Sequence, residues 1–337
     1  MKNLKIYFVE GEFQDVEILG RKAKDYIFNE FDGVEYEVVK DICDIDISVC
    51  PIAVLPLDAP LITQEYLFRM TDFAKRKGVG KLCFGDENSP FFIKVGKGKT
   101  TYFVEDQVFL QLGGAKNYNM VYNTIRKRIL IRLVQDGVLL LGDEFHIDDT
   151  VIVESGATVK SPTTLKGNAV IRQGVVVENS IIIDGEIEEG ASVTCSHLYH
   201  SKVGKNTTVG PFARLRDADV RDNCRIGDFV EVKNSILHTG VKCAHLSYVG
   251  DAKVGDDTNI GCGSVFCNYD GKLKHRTDVG KNVFIGANVN LVAPLSIGDN
   301  TYIAAGTTVT KDVTDNGFVI GRVRQEIKDT KPKSRNQ

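Results

Sequence analysis

An amide, a phenol, a carboxylate, an imidazole and three cationic side chains fall within nine residues at 268–276, Asn-Tyr-Asp-Gly-Lys-Leu-Lys-His-Arg. Amides and phenols donate and accept hydrogen bonds, and cations fixed in place hold anions. Asn-Tyr-Asp-Gly is also ordinary turn chemistry, so a plain capped loop is the competing reading. Upstream, Ala-His-Leu-Ser-Tyr places an imidazole at His245. A neutral imidazole, with a reference pKa of about 6.5 as a free side chain, is the group type suited to proton abstraction at neutral pH. His245 is one of six histidines, and a lone histidine is more often a hydrogen-bonded structural residue. Arg216 and Lys233 add cations, the guanidinium being able to hold a phosphate bidentately. Taken singly, each of these cations reads as a solvated surface charge.

Such groups need a rigid support, and the surrounding rhythm supplies one. Ile147, Val153, Val159, Leu165, Ile171, Val177 and Ile183 lie six apart. The frame slips, restarts at Val203, Val209 and Leu215, restarts again at Val254 and Ile260, and closes with Val279, Ile285, Leu291, Ile297, Ile303 and Val309. Neither the helical period of 3.6 nor the strand period of 2 produces this spacing. Three six-residue sides make one coil of a parallel β-helix, with the aliphatics stacked along its axis. The stretch at 268–276 interrupts that rhythm, as expected of a loop that leaves a rigid coil to carry chemistry. Residues 1–135 follow a different pattern. Short β-rich runs at 4–9 and 51–57 alternate with a helix over 63–77, capped by Thr63 and ended by Gly78. A second helix is expected at about Thr124–Gln135, with Ile125, Ile129 and Leu133 on one face.

The bulk composition narrows the function classes. The 337 residues are 42% hydrophobic and 26% charged, which describes a globular chain long enough for two domains. A net charge of −3 argues against a general nucleic-acid binder, and no apolar run is long enough to span a membrane. The start lacks a signal-peptide pattern, and the eight cysteines show no CxxC pair, so a cytoplasmic protein with reduced thiols is expected.

Several ordered motifs now become recognisable. Gly-Pro-Phe-Ala-Arg-Leu-Arg (210–216), Phe-Val-Glu-Val-Lys (229–233), the run from His245 to His275, Val-Phe-Ile-Gly-Ala-Asn (283–288) and Tyr-Ile-Ala-Ala-Gly-Thr (302–307) carry the likeness. Over about residues 124–325 the chain resembles the acetyltransferase half of the bacterial bifunctional glucosamine-1-phosphate acetyltransferase/N-acetylglucosamine-1-phosphate uridyltransferase. The resemblance implies a left-handed parallel β-helix of hexapeptide repeats preceded by a small α/β domain. It also implies a homotrimer with sites in the grooves between subunits, and acetyl-CoA as co-substrate without a metal. The family's catalytic base falls on His245, and its sugar-phosphate ligands on Arg216, Lys233, Tyr248, Asn259 and Lys274. Its acetyl-CoA contacts fall on Cys262, Asn268, Tyr269, Ala287, Ala305 and Arg322. The oxyanion formed on attack needs donors, either backbone N–H groups or an amide such as that of Asn268.

Four positions depart from the family pattern. Cys262 stands where the family has Ala, Ala287 where it has Ser, Asn288 where it has Asp, and Gly321 where it has Ser. The larger departure is N-terminal. The family's Gly-rich nucleotide loop has no counterpart in Met-Lys-Asn-Leu-Lys-Ile-Tyr-Phe-Val-Glu, and Asp58 is at most a relic of its metal-binding strand end. The expected organisation is a degenerate nucleotidyltransferase remnant at 1–122 and a connecting helix at 123–140. The acyltransferase β-helix follows at 141–325, then a basic tail at 326–337. The function expected is N-acetylation of glucosamine 1-phosphate without a working uridyltransferase site. The alternatives are an acyltransferase on another amino-sugar phosphate or nucleotide-linked amino sugar, and a non-catalytic sugar-phosphate-binding protein.

Overall fold

The computed structural model describes residues 4–85, 89–98, 101–104 and 107–327, so the basic tail beyond Ile327 lies outside the described residues. Two compact units divide the chain. The first runs to Gln135 and includes His146–Val151, and the second holds the remainder.

The first unit is a six-stranded mixed sheet with helices. Its strands lie in the order Glu37–Val39, Lys5–Val9, Ile52–Pro56, Phe92–Lys94, Lys81–Phe84, Thr101–Val104. Phe92–Lys94 runs antiparallel to both neighbours, and the other pairings are parallel. Ile52–Pro56 is buried at every position, which is why it reads as an unbroken apolar run. Thr63 caps the helix Gln64–Lys77 by accepting from Tyr66 N at 3.2 Å, and Gly78 ends it with φ of 64°. The next helix, Gly114–Gln135, begins ten residues before its expected start. Its first turns bury only Val121 among polar residues, so they carry no apolar period to read.

The second unit is a left-handed parallel β-helix. Face A has eleven strands beginning at Leu139–Leu141, face B ten beginning at Phe145–Ile147, and face C nine beginning at Ile152–Val153. The chain passes from A to B to C, and every pairing between coils is parallel and in register. On most of the short strands one aliphatic points inward, with Cys243 and Phe266 taking that place on two others, giving an axial stack that includes Val177, Ile187, Val193, Leu215, Val232 and Leu291, all fully buried.

The uniform spacing of six fails at the seventh expected position. Ile182 occupies the core, and Ile183 is only half-buried. The cause is a shortened corner. Asn179 takes φ of 45° and turns the chain at once, so the side from Val177 to Ile182 has five residues. The same device recurs at Asp184, Cys195, His200, Asp217, Asn234 and Asp251, with φ between 45° and 50°. Asn and Asp tolerate this left-handed conformation better than most side chains. The next residue is small, and where it is Ser its hydroxyl bridges coils. Ser180 Oγ donates to Glu178 O at 2.7 Å and accepts from Ser196 N at 3.1 Å. Ser196, Ser201 and Ser235 repeat the pattern. These corners explain every slip of the frame before residue 266.

A single coil is enlarged. Thr208 faces Arg225 and Lys242 faces Asn259, each 17 positions on, whereas Asn259 faces Phe284, 25 positions on. The additional residues leave after Val265–Cys267 on face B and return at Thr277–Val279 on face C.

Candidate active site

Two columns of side chains stand on this scaffold. The first follows the corner between faces A and B. His245, Cys262, Ala287 and Ala305 each come two residues after an inward residue of face A, namely Cys243, Ile260, Ile285 and Ile303. Coils stack about 4.8 Å apart, so the column rises roughly 14 Å in a straight line from His245 to Ala305. His245 and Cys262 are exposed, and Arg322 closes the far end by donating to Ala305 O at 2.7 Å.

The second column lies where face B turns toward face C. Arg216 and Lys233 are direct register neighbours on adjacent strands. Arg216 pairs through Nη2 with Glu231, while its Nε is buried and without a hydrogen-bond partner among the described residues. The Lys274 ammonium beside Lys233, and then the Arg216 guanidinium, hold the Lys233 pKa below its ordinary value, with Asp251 partly offsetting them. Like charges are costly to gather without a counter-ion, so a site built this way favours an anionic ligand.

The loop at 268–276 brings Lys274 to this cluster and is fastened internally. The Asp270 carboxylate accepts from Leu273 N and Lys272 N, each at 2.7 Å, and from His275 Nε2 at 2.7 Å. Chiefly the Leu273 amide and the His275 ring hold the Asp270 pKa down at about 2. His275 N donates to Asn268 O at 2.7 Å, and Tyr269 bridges to Lys274. Tyr269 itself stands exposed.

Asn268, by contrast, is 7% exposed. Its Nδ2 donates to Asp251 Oδ2, and to Tyr248 Oη at 3.4 Å. The donor end of this amide is therefore engaged within the protein, and backbone N–H groups are left for an oxyanion. Tyr248 folds back over its own strand. A Cβ added at Gly250 would lie 2.5 Å from Tyr248 Oη. Gly250→Ala should therefore displace the phenol and loosen Asn268. A roughly tenfold rise in the Kd for inorganic phosphate, with near-native melting, is expected from a binding titration and a thermal scan. An unchanged Kd would mean that the phenol position is irrelevant to anion binding.

The residues singled out from the sequence fall into separate groups in the structure. Arg216, Lys233, Tyr248, Lys274 and Asn268 come together, and His245, Cys262, Ala287 and Ala305 align. Asn259 lies elsewhere, on face A between Lys242 and Phe284. Within one chain it does not join the cations, because its strand belongs to a different face. Sequence reasoning missed Glu231, Gly250, Asp251 and the Asp270–His275 clasp. Asp251 alone left a signal, since it is one of the recurrent Asx residues that turn shortened corners. A cleft of about 620 Å³ on face C, lined by His238, Asp256, Lys281 and others, lies away from these groups. Its Lys281 and Asp256 already pair at 3.2 Å.

In the first unit, Asp58 lies two residues past the strand Ile52–Pro56 and is 3% exposed. Gln111 Nε2 donates to its Oδ1 at 2.9 Å, and a Cβ at Gly11 would fall 2.4 Å from its Oδ2. Its carboxylate is packed against chain and amide.

Residues 276–311 match the family model described as bacterial transferase hexapeptide (six repeats). Similar proteins include the bifunctional protein GlmU of Clostridioides difficile strain 630, 52% identical over 155 residues, or 46% of this chain and 34% of that protein. The bifunctional protein GlmU of Nitratidesulfovibrio vulgaris strain DP4 is 44% identical over 214 residues, or 62% of this chain and 47% of that protein. The chain thus matches about a third to a half of the length of these relatives, and the resemblance to the acetyltransferase half read from the motifs holds. Among solved structures, PerB from Caulobacter crescentus aligns with 94% of this chain and 93% of its own at 13% identity and a TM-score of 0.19, a level that carries no inference.

Proposed function

We propose that this protein is an acetyl-CoA-dependent N-acetyltransferase converting glucosamine 1-phosphate to N-acetylglucosamine 1-phosphate, without a working uridyltransferase site. One observation carries the reading. Arg216, Lys233 and Lys274 are gathered closely enough to lower the Lys233 pKa, with a buried guanidinium N–H left without a partner among the described residues. A phosphate dianion is the ligand that such a cluster suits.

In this reading, the sugar phosphate binds there with its 2-amino group toward His245. The neutral imidazole removes a proton as the amine attacks the thioester carbonyl. The backbone N–H of Cys262, one coil on, stabilises the oxyanion. Collapse forms the amide and expels the CoA thiolate, which recovers the proton from the imidazolium. The column from Cys262 through Ala287 to Ala305, narrow and nearly free of side chains, suits the extended arm of acetyl-CoA, with Tyr269 and Arg322 beside it. Ala287 offers no hydroxyl to that arm.

A homotrimer completes the site, since Asn259 reaches the cations only from another copy. Phe212, Phe229 and Leu246, each exposed along the corner between A and B, support such an interface, the two Phe rings stacking at 5.4 Å. Cytoplasmic location fits, and among the described residues no helix is long and apolar enough to cross a membrane. The first unit is read as a nucleotidyltransferase remnant whose Asp58 no longer meets a metal.

The test is CoA thiol release by purified protein with acetyl-CoA and glucosamine 1-phosphate, beside galactosamine 1-phosphate and glucosamine. Release with the first, and far less without the phosphate, is expected. Preference for galactosamine 1-phosphate would move the reading to another amino-sugar phosphate. No release from a folded protein would leave a non-catalytic binding role.

A further inference from the structure

A carboxylate can only accept hydrogen bonds, so the two groups that touch Asp251 must both donate to it. Asn234 Nδ2 reaches its Oδ1 at 2.5 Å, and Asn268 Nδ2 reaches its Oδ2. The O and N ends of an amide are ordinarily hard to tell apart, but this contact decides the matter chemically. Asn268 must turn its NH₂ inward to Asp251 and Tyr248, which leaves its carbonyl Oδ1 as the end without a hydrogen bond among the described residues. Asp251 is itself fixed. It turns a shortened corner with φ of 50°, and Asn234, one coil away, has φ of 47°. Asn268 begins the loop that brings Lys274 to the cations, so its amide stands beside the anion-binding cluster.

We infer that Asp251 is a positioning residue that locks the orientation of the Asn268 amide, so that residue 268 presents an acceptor to the substrate amine. This rests on the acetyltransferase reading and deepens it. An acceptor beside the amine holds one of its N–H bonds while His245 takes another proton, aiming the nitrogen lone pair at the thioester. A donor at that place would compete for the same lone pair. Asp251 thus acts through Asn268 and touches neither the sugar nor acetyl-CoA.

The experiment is a reciprocal exchange, measured as kcat and KM for glucosamine 1-phosphate beside thermal melting. Asp251→Asn removes the constraint on the Asn268 flip. Its kcat should fall roughly tenfold to a hundredfold, the scale of a misaligned reactive group. KM should stay level or drop, because a negative charge near Lys233 is gone. A purely structural role would raise KM and lower the melting temperature instead. Asn268→Asp sets two carboxylates face to face and should lose at least as much kcat.

The double variant Asp251→Asn/Asn268→Asp restores complementarity with the roles reversed. The new amide at 251 still accepts from Asn234 and donates to the new carboxylate at 268. That carboxylate still offers an oxygen to the amine, and Tyr248 can donate to it. The double variant should recover to within about tenfold of wild type in kcat. A double variant that folds and keeps its KM, yet remains as slow as Asn268→Asp, would show that residue 268 must donate, and would overturn the inference. Wild-type protein that releases no CoA thiol would instead remove the acetyltransferase reading, and the inference with it.

Discussion

His245→Ala lowers CoA thiol release by about 10²–10⁴-fold while leaving the fold and the KM for glucosamine 1-phosphate nearly unchanged. The split follows from position. His245 stands exposed at the corner between faces A and B, two residues beyond the inward Cys243, outside the buried core. The phosphate cluster sits at the other end of face B, so deleting the imidazole leaves anion binding intact. Steady-state kinetics across pH 6–9 would check this. Wild-type protein should turn over far faster than the variant throughout that range, at a similar KM. A variant keeping most of its rate would transfer the base role elsewhere or make the amine its own limit.

Lys233→Met weakens sugar-phosphate binding by roughly 10–100-fold, the loss of one charge-assisted bond, yet makes the substrate-free protein more resistant to heat. The opposite signs have one cause. Lys274 and Arg216 hold the folded pKa of Lys233 below the 10.5 of the unfolded chain. Between those two values the unfolded state binds more protons, so wild-type stability rises with pH through that window. Below it, the ammonium is charged in both states and the repulsion is a constant penalty. Replacing the ammonium with a thioether removes the penalty at neutral pH and flattens the alkaline rise. Melting curves from pH 7 to 10.5, with calorimetric titration of the sugar phosphate, would test both halves. A less stable variant without ligand would contradict the charge-crowding account. Unaltered affinity would separate Lys233 from the phosphate.

Much of this site could be read before any fold was known. The motifs carrying His245, Arg216, Lys233, Tyr248, Lys274 and Asn268 are short and contiguous, and a local rhythm of six that slips and restarts is visible along the chain. Helix 64–77 was equally plain, because Thr63 and Gly78 act on their own neighbours. What escaped notice was non-local. Asp251 and Asn268 lie 17 residues apart, and Asp251 and Asn234 another 17, so their contacts exist only because a coil has that length. Glu231 looked like a surface acid until its strand lay beside that of Arg216. Gly250 matters only through the ring that lies over it.

The sequence by itself determined the repeating side, the coil axis, the place of the inserted loop and the residue types available for chemistry. Each depends on spacing and local propensity, which a linear chain displays directly. Tertiary structure alone decided which inward residue begins each shortened side, such as Ile182 in place of Ile183. It also separated Asn259 from the cations, and it turned the Asn268 amide toward Asp251. Those outcomes depend on the exact number of residues per coil. A corner one residue shorter moves the inward position to a different residue, as from Ile183 to Ile182, while its left-handed turn keeps the following strands in register on their faces.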